Sequence, residues 1–542
     1  MAYYSADEMK QVLNDYPQYK EKLYCRGFLI TNDKVGDLEE YPFYSNWIVT
    51  SLKGVDHTYY IYTHKDTKSY VYSDKKNTFF LVGHAYDPFN MRTDEEEILK
   101  DLSDALSKSE KDFWDAESNL TGVFCIGYFN EEKMVYSTDC AGMQLVYHGT
   151  IKNKLYITSH SKLVADLLDL KQTEYIKRLI SNKFWHYWGT WLPGDLSPYK
   201  ELRRMQPNFA ATYLEVSGKI DMERYYPLQQ LNETTTETEY QETIKELGKI
   251  MSNTMYLIGK KWQDKKISIS VTGGRDSMTA LSCTNGNYDK FSYFSYISNV
   301  DESVDAYAAK DILDYLGLEH ELFEIPDEYE EYKNIEAFKK VMQCNAGCIG
   351  ENNLNDVKKR LYFSQNPPCD MEVKSWVNEM GRGWYYNKYN KKSFPKYPNP
   401  SYWRCMHKAY INDFWLIRET DKVFKDYLDK YYSKEVFDRV SWLELYFWEF
   451  AWSGGEGVFL TTEHRVSYDI TIPFNNRKYI EKMLTVPVEK RKRDCIPNDL
   501  ITYMEPRIAE TGIVIKDISH TNMRALLVRV YLEIFSRLRF KI

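Results

Sequence analysis

The chain has no run of anything near eighteen consecutive apolar residues, so no segment reads as a membrane-spanning helix. Its opening residues, MAYYSADEMKQVLNDYPQYKEK, carry acids where a secretory leader would place a cationic and then an apolar stretch, and the expected location is the cytoplasm. Nine cysteines in 542 residues are too few and too scattered for a disulfide framework. Cys344 and Cys348 are the closest pair; with no second pair and no His at finger spacing they read as two buried thiols, not a zinc site. The ten histidines show no HExxH or paired spacing, so no catalytic zinc is expected. Short-period repeats, low-complexity tracts and long Gly/Ser linkers are also missing. Nor is there an excess of positive charge: 71 Lys and Arg against 79 Asp and Glu leave a net charge of −8, which argues against a dedicated nucleic-acid binder.

What is present is a well-furnished globular chain. Apolar residues at 43% and aromatics at 16%, with 47 tyrosines, exclude wholesale disorder. At about 150 residues per domain the length allows two to four domains. Two regimes divide it, residues 1–225 and 226–542. The first alternates short β-branched and aromatic runs with turns (NWIVTSLKG, NTFFLVGHAYDP, KLYITSH), interrupted by the helical stretch EEEILKDLSDALSKSEKDFW, which predicts an α+β domain. The second opens with an amphipathic helix over 237–262, then KKISISVTGG, where Ile267, Ile269 and Val271 alternate before a glycine pair. Helices dominate thereafter.

The strand that stops at Thr272-Gly273-Gly274-Arg275-Asp276-Ser277 and runs into a helix has the makings of an anion site. Two glycines permit positive φ and close approach, helix N–H groups point outward, and Thr272 and Ser277 add hydroxyls. Asp276 is acidic where an anion would bind, which suits a bridging divalent cation. A second strand in DKFSYFSYISN, a helix in DESVDAYAAKDILDYLG and a third strand in LEHELFEI complete a β-α-β-α-β order, hence a parallel sheet. Asp301 or Ser303 is expected to cap that helix, Gly317 to end it, and Val304, Ala308, Ile312 and Leu316 to share one face. Ligands bind such sheets at the carboxyl ends of the strands, which groups Thr272–Ser277 with Ile297–Asn299.

SVTGGRDSMTAL resembles the SGGxDS pyrophosphatase loop of asparagine-synthetase-like enzymes, and further stretches resemble that family in the same order over nearly the whole chain. LVGHAYDPFNMRTDEEEIL and TGVFCIGYFNEEKMVYSTDCAGMQLVYHG, with Asp139, resemble its glutamine-amidotransferase domain, and LPGDLSPYKELRRMQPN the linker that follows. VNEMGRGWYY and DITIPFNNRKYIEKMLTVP are similar to later synthetase motifs. The resemblance implies an Ntn-type α+β sandwich followed by an α/β PP-loop domain with a parallel sheet and a helical C-terminal part. It implies a ligase in which a carboxylate attacks the α-phosphate of Mg·ATP and an amine then displaces AMP. Carried over by position, Val271, Thr272, Gly273, Gly274 and Ser277 hold the nucleotide, Ile297 meets adenine through its backbone, and Asp276 binds Mg²⁺ with Asn378 and Glu379. Arg275 stands where the family commonly has an apolar residue.

The departures bear on mechanism. Family glutaminases use a Cys directly after the initiator Met, and this chain has Ala2, so no glutamine hydrolysis is expected. One escape is Cys25 in YCRGFLITN, which removal of 24 residues would make terminal. Asn378 replaces an Asp, which should weaken the metal site, and Asp469 and Thr471 replace Glu and Arg. Arg382 reads as a phosphate clamp, Glu379 as first choice for the base that takes the amine proton, Glu449 in LYFWEFAWSGGEG as second, and Lys516 as a cation for the adenylate phosphates.

Three further stretches have plainer readings. PVEKRKRD is a solvated face, and YYNKYNKKSFPKYPNPSYWRC an excursion lining an acceptor pocket or a single-strand RNA surface. The terminal amphipathic helix, with Met523, Leu527, Val530, Ile534 and Leu538 on one side, is expected to dock on the core. The leading expectation is an amide-forming ligase acting on a small-molecule, glycan-uronate or peptide carboxylate and an amine, with no nucleic-acid partner and a homodimer allowed. A PP-loop RNA-modifying enzyme and a non-catalytic scaffold are the alternatives.

Overall fold

The β-branched and aromatic runs of the first regime form twelve strands: β1 (Phe28–Thr31), β2 (Trp47–Lys53), β3 (Thr58–His64), β4 (Ser69–Ser73), β5 (Thr78–Tyr86), β6 (Thr121–Phe129), β7 (Lys133–Thr138), β8 (Tyr147–Ile151), β9 (Lys154–Thr158), β10 (Arg203–Arg204), β11 (Phe209–Leu214) and β12 (Lys219–Arg224). The structure is a computed structural model that describes residues 3–54, 58–185, 190–227, 229–350, 353–408, 410–513 and 522–537. The strands pair antiparallel into two six-stranded sheets, ordered β10-β8-β9-β1-β3-β2 and β12-β11-β7-β6-β5-β4. Tyr59 of β3 meets Phe129 of β6 with ring centroids 4.9 Å apart, so the sheets lie face to face. Period-two alternation sends Phe28 and Ile30 into the core between them and Leu29 into a second core behind β1. Helix Glu95–Leu106, capped by Asp94, covers β4 and β5 from outside. The expected α+β sandwich is present.

The residues before Cys25 are part of this architecture. Met9, Leu13, Tyr19 and Leu23 are buried in the second core beside Phe338 and Val341 of the helix Ile335–Asn345. Asn345 Oδ1 accepts from the Tyr24 N–H at 2.8 Å and its Nδ2 donates to the Lys22 carbonyl at 3.0 Å. Removing 24 residues would therefore unroof a core shared by both halves of the chain.

The second regime opens on helix Glu237–Lys261, started by a Thr236/Glu239 capping box. The five strands β13 (Ile267–Ser270), β14 (Ser292–Ile297), β15 (Glu321–Glu324), β16 (Met371–Val373) and β17 (Asp469–Thr471) form the expected parallel sheet, ordered β15-β14-β13-β16-β17. The order reverses between β13 and β16, which makes that crevice the switch point. Helix Val300–Leu316 differs from expectation at its start: Asn299, not Asp301 or Ser303, is the cap, because its side chain accepts the Glu302 N–H at 3.0 Å and the other two lie inside the helix. Gly317 ends it at φ 72° as expected. Its buried face runs through Ala306, Ala309, Ile312, Leu313 and Leu316, and Val304 is exposed.

Two helices further on carry weight. Tyr446–Glu456 is a π-helix, a form that is rare and often found at functional sites. Helix Asn522–Phe535 docks on the helix Pro400–His407 through Ala525 and Leu532, but the stripe expected to make that contact, Met523, Leu527, Val530 and Ile534, faces solvent. Leu538 lies outside the described residues. Among the described residues no helix is long and apolar enough to cross a membrane.

Buried polar groups lock the halves together. Asp139 accepts N–H bonds from Met143 at 2.8 Å and Gln144 at 2.6 Å and an amide bond from Asn475 at 2.8 Å. Arg477 pairs with Glu117 and donates to Asn208 Oδ1 at 2.8 Å. An unpaired charge at this depth would cost several kcal/mol, so each is fixed by its partner.

Candidate functional site

The C-terminal ends of β13, β14 and β16 enclose a cavity of about 210 Å³, lined among others by Thr272, Ser277, Tyr296, Asp305, Lys374 and Trp376. Helix Arg275–Ser282 starts at its edge, and its first-turn N–H groups have no intrahelical partner. Val271 lines the cavity from the end of β13, and Ile297 follows the lining residue Tyr296 at the end of β14.

The loop is closed on itself by hydroxyls. Ser277 Oγ accepts the Thr272 N–H at 3.1 Å and donates to the Thr272 carbonyl at 2.8 Å, while Thr272 Oγ1 accepts the Gly274 N–H at 3.1 Å. The Gly273 N–H donates to the Asp305 carbonyl at 3.2 Å. Neither glycine needs the left-handed region, contrary to expectation; Gly274 has φ −78°. A Cβ there would meet only Thr272 Oγ1, at 3.2 Å, so its bareness keeps the loop open to close approach.

Across the switch point, β16 is followed by Lys374, Ser375 and Trp376, and Val377 then holds φ 79° while fully buried. For a β-branched residue this conformation stores about 1–3 kcal/mol of strain. It turns the chain into Asn378–Arg382, which brings Asn378, Glu379 and Arg382 to Asp276. Asn378 Nδ2 donates to Asp276 Oδ1 at 2.9 Å and Arg382 Nη1 to Oδ2 at 2.9 Å. Arg382 also grips Asp494, through Nε at 2.8 Å and Nη2 at 3.2 Å. Asp494 in turn pairs with Arg275 at 3.3 Å, so the unusual residue of the loop is part of the same network.

Near the cavity three titratable groups, Glu379, Glu456 and Lys374, are displaced towards neutrality. Burial pushes the Glu379 carboxyl well up, Asp276 adds to the effect, and Glu379 Oε2 is buried with no hydrogen-bond partner. Glu456, at the end of the π-helix, is pushed up to about 7 by burial, against the opposing pull of Lys374. Burial lowers Lys374 itself, and Glu372, whose Oε1 accepts from Nζ at 3.2 Å, opposes that. The Lys374 ammonium lies 4.9 Å from the centre of the Trp376 ring. Lys374 lines the cavity, and Glu456 lies near enough to interact electrostatically with both Lys374 and Glu379.

The structure gathers Thr272, Gly273, Gly274, Asp276, Ser277, Asn378, Glu379 and Arg382 as the sequence suggested, but not Glu449. Arg224 holds both oxygens of Glu449 at 2.7 Å, with Asn208 at 2.8 Å and Tyr432 at 2.6 Å, and the carboxylate is fully buried away from the cavity. It is a structural anchor and has no lone pair free for a proton transfer. Lys516 lies outside the described residues. Sequence reading missed Lys374, Trp376 and Glu456; only Glu456 carried a signal, as the other acid of a stretch already singled out.

The Asp276 site does not suit Mg²⁺. A hard divalent cation takes several oxygen ligands. Both Asp276 oxygens are engaged, Asn378 turns its NH₂ towards them, and its carbonyl oxygen accepts from the Tyr479 hydroxyl at 3.1 Å. Glu379 is driven towards its neutral form. Tyr296, Lys374 and Trp376 line the cavity beside the first turn of the helix Arg275–Ser282, whose N–H groups have no intrahelical partner.

In the first half, Cys25 precedes β1 with its thiol buried and its pKa pushed up by that burial. Cys25, His64 and Asp66 place potential ligand atoms within 4.8 Å of one another. The Arg26 guanidinium lies 3.5 Å from Cys25 Sγ, however, and the His64 Nδ1 accepts the Asp66 N–H at 3.2 Å.

No family model matches the chain, and no curated protein matches it. Among solved structures it has a distant likeness to a glutamine phosphoribosylpyrophosphate amidotransferase from B. subtilis complexed with ADP and GMP, at 10% identity and TM-score 0.23, covering 59% of this chain and 64% of that one. A structure described as the allosteric regulatory enzyme of purine biosynthesis is similar at 9% identity and TM-score 0.24, covering 65% of this chain and 92% of that one. Neither likeness assigns an activity to the chain.

Proposed function

We propose that the chain is an ATP-dependent ligase that adenylates a carboxylate and passes the acyl group to an amine, without a glutaminase of its own. The observation that carries this reading is the crevice between β13 and β16, where Thr272 and Ser277 of the loop share a cavity with Lys374 at the switch point of a parallel sheet and Arg382 holds Asp276 beside it. In the first step a substrate carboxylate oxygen bonds to the α-phosphorus and pyrophosphate leaves. Lys374 and the first-turn N–H groups of helix Arg275–Ser282 meet the phosphate charge as fixed donors. In the second step the amine nitrogen bonds to the acyl carbon, AMP leaves, and Glu456 takes the amine proton. Its pKa near 7 suits that task, and it replaces Glu449 and precedes Glu379 as the base.

A uronate or peptide carboxylate in the presence of ATP should release pyrophosphate. Glu456→Gln should retain that release yet fail to form amide. Carboxylate-independent ATP turnover would contradict the scheme.

A second reading, a scaffold that has lost catalysis, is favoured by the loop itself. The N–H groups of Thr272, Gly273 and Gly274 are all satisfied internally, so the loop is stable without a ligand. A protein that binds no nucleotide at all would support it.

A further inference from the structure

The relation of Asp276 to Arg382 points to a property that the motif alone would not suggest. Building on the nucleotide reading above, we infer that the Arg382 guanidinium occupies the role of a divalent cation at the phosphate loop, so that a nucleotide polyphosphate binds here without Mg²⁺.

Three observations converge on it. First, both carboxylates of the network are already paired: Arg275 and Arg382 stand against Asp276 and Asp494, in contacts of 2.8 to 3.3 Å. A doubly charged ion entering this network would sit against two guanidinium groups. Second, Asn378 is held in one orientation. Its NH₂ faces a carboxylate oxygen and its carbonyl accepts from Tyr479; turned over, it would set oxygen against oxygen at Asp276. The Asp-to-Asn departure is thus matched by a bond that only the amide can make. Third, a guanidinium is a planar fork suited to carboxylate and phosphate alike, and it never loses its proton. Arg382 touches Asp276 through Nη1 alone. A phosphate arriving at the first turn of helix Arg275–Ser282 can share that nitrogen while Nε and Nη2 stay on Asp494.

The inference separates cleanly from the ligase reading. Binding of a non-cleavable α,β-methylene ATP analogue to the wild-type chain is measured in excess EDTA and in saturating Mg²⁺. The expected affinities agree within about threefold, and Arg382→Ala loses about tenfold or more in EDTA, as the loss of a charge-assisted bond requires. In parallel, Mn²⁺ is titrated against the nucleotide-free protein by electron paramagnetic resonance. Wild type should show no site that Asp276→Asn abolishes, and Asn378→Asp combined with Arg382→Met should create one. Wild-type affinity that falls tenfold or more in EDTA, or a Mn²⁺ site dependent on Asp276, would overturn the inference. If the analogue binds in neither condition the nucleotide reading fails, and the Mn²⁺ titration still decides whether a cation can occupy the loop. The EDTA comparison on wild type does not depend on a variant folding.

Discussion

Glu449 and Glu456 stand seven residues apart on one π-helix and serve different ends of the molecule: Glu449 is clamped by Arg224 of β12, and Glu456 is set against Lys374 at the switch point. In an α-helix residues seven apart share a face. The wider π turn separates them, so that one carboxylate anchors the first half while the other keeps a raised pKa in the crevice.

The pH dependence of amide formation follows from Glu456. Its carboxyl titrates near 7 in the fold, above its ordinary 4.5, so the rate should rise as pH increases through 7. Glu456→Gln should flatten that profile and slow the amine step by about 10²–10⁴-fold, measured by single-turnover kinetics. Stability moves the other way. A carboxyl with a raised folded pKa binds more protons folded than unfolded, so wild type should lose stability between about pH 4.5 and 7 and the Gln variant should lose less over that window.

Glu449→Ala should leave Arg224 buried and unpaired. A cost of about 3–5 kcal/mol is expected from breaking one partner of a buried pair, read as a lowered denaturation midpoint. The folded fraction should bind nucleotide with unchanged affinity.

Gly457 follows the π-helix directly and packs on the turn after Asp139, where a Cβ would collide with the carbonyl oxygen of Gly142. Gly457→Ala should therefore destabilise the protein by about 1–3 kcal/mol through overpacking. Because the shift propagates along Tyr446–Glu456, the pKa of Glu456 should move as well, which the pH–rate profile would register.

Cys25 is buried, and the residues before it complete a core. Incubation with glutamine should yield no glutamate above background, and Cys25→Ser should leave amide formation unchanged. A chain beginning at Cys25 should not fold cooperatively, because it exposes the surface that Met9, Leu13, Tyr19 and Leu23 cover.

Local pattern made part of this legible. Ile267, Ile269 and Val271 ahead of two glycines announced the strand and loop, the amphipathic pattern over 237–262 the long helix before them, and Gly317 marked a helix end. Orientation was harder to read. The helix Val300–Leu316 exposes Val304 because the sheet it covers determines which face is buried, and the helix Asn522–Phe535 buries Ala525 and Leu532 for the same kind of reason. Asn378 and Arg382 were recognised as departures or clamps, but their bonds to Asp276 join residues more than 100 positions apart. Glu449 reads as a second candidate base from its aromatic surroundings, but its clamp by Arg224 joins residues 225 positions apart and cannot be read from the sequence.

The most direct test of the central claim is calorimetric titration of the α,β-methylene ATP analogue into wild type and Lys374→Ala. Saturable one-site binding to wild type, weakened about tenfold or more in the variant, is the result this account predicts. No binding to wild type, with candidate carboxylates present or absent, would contradict it.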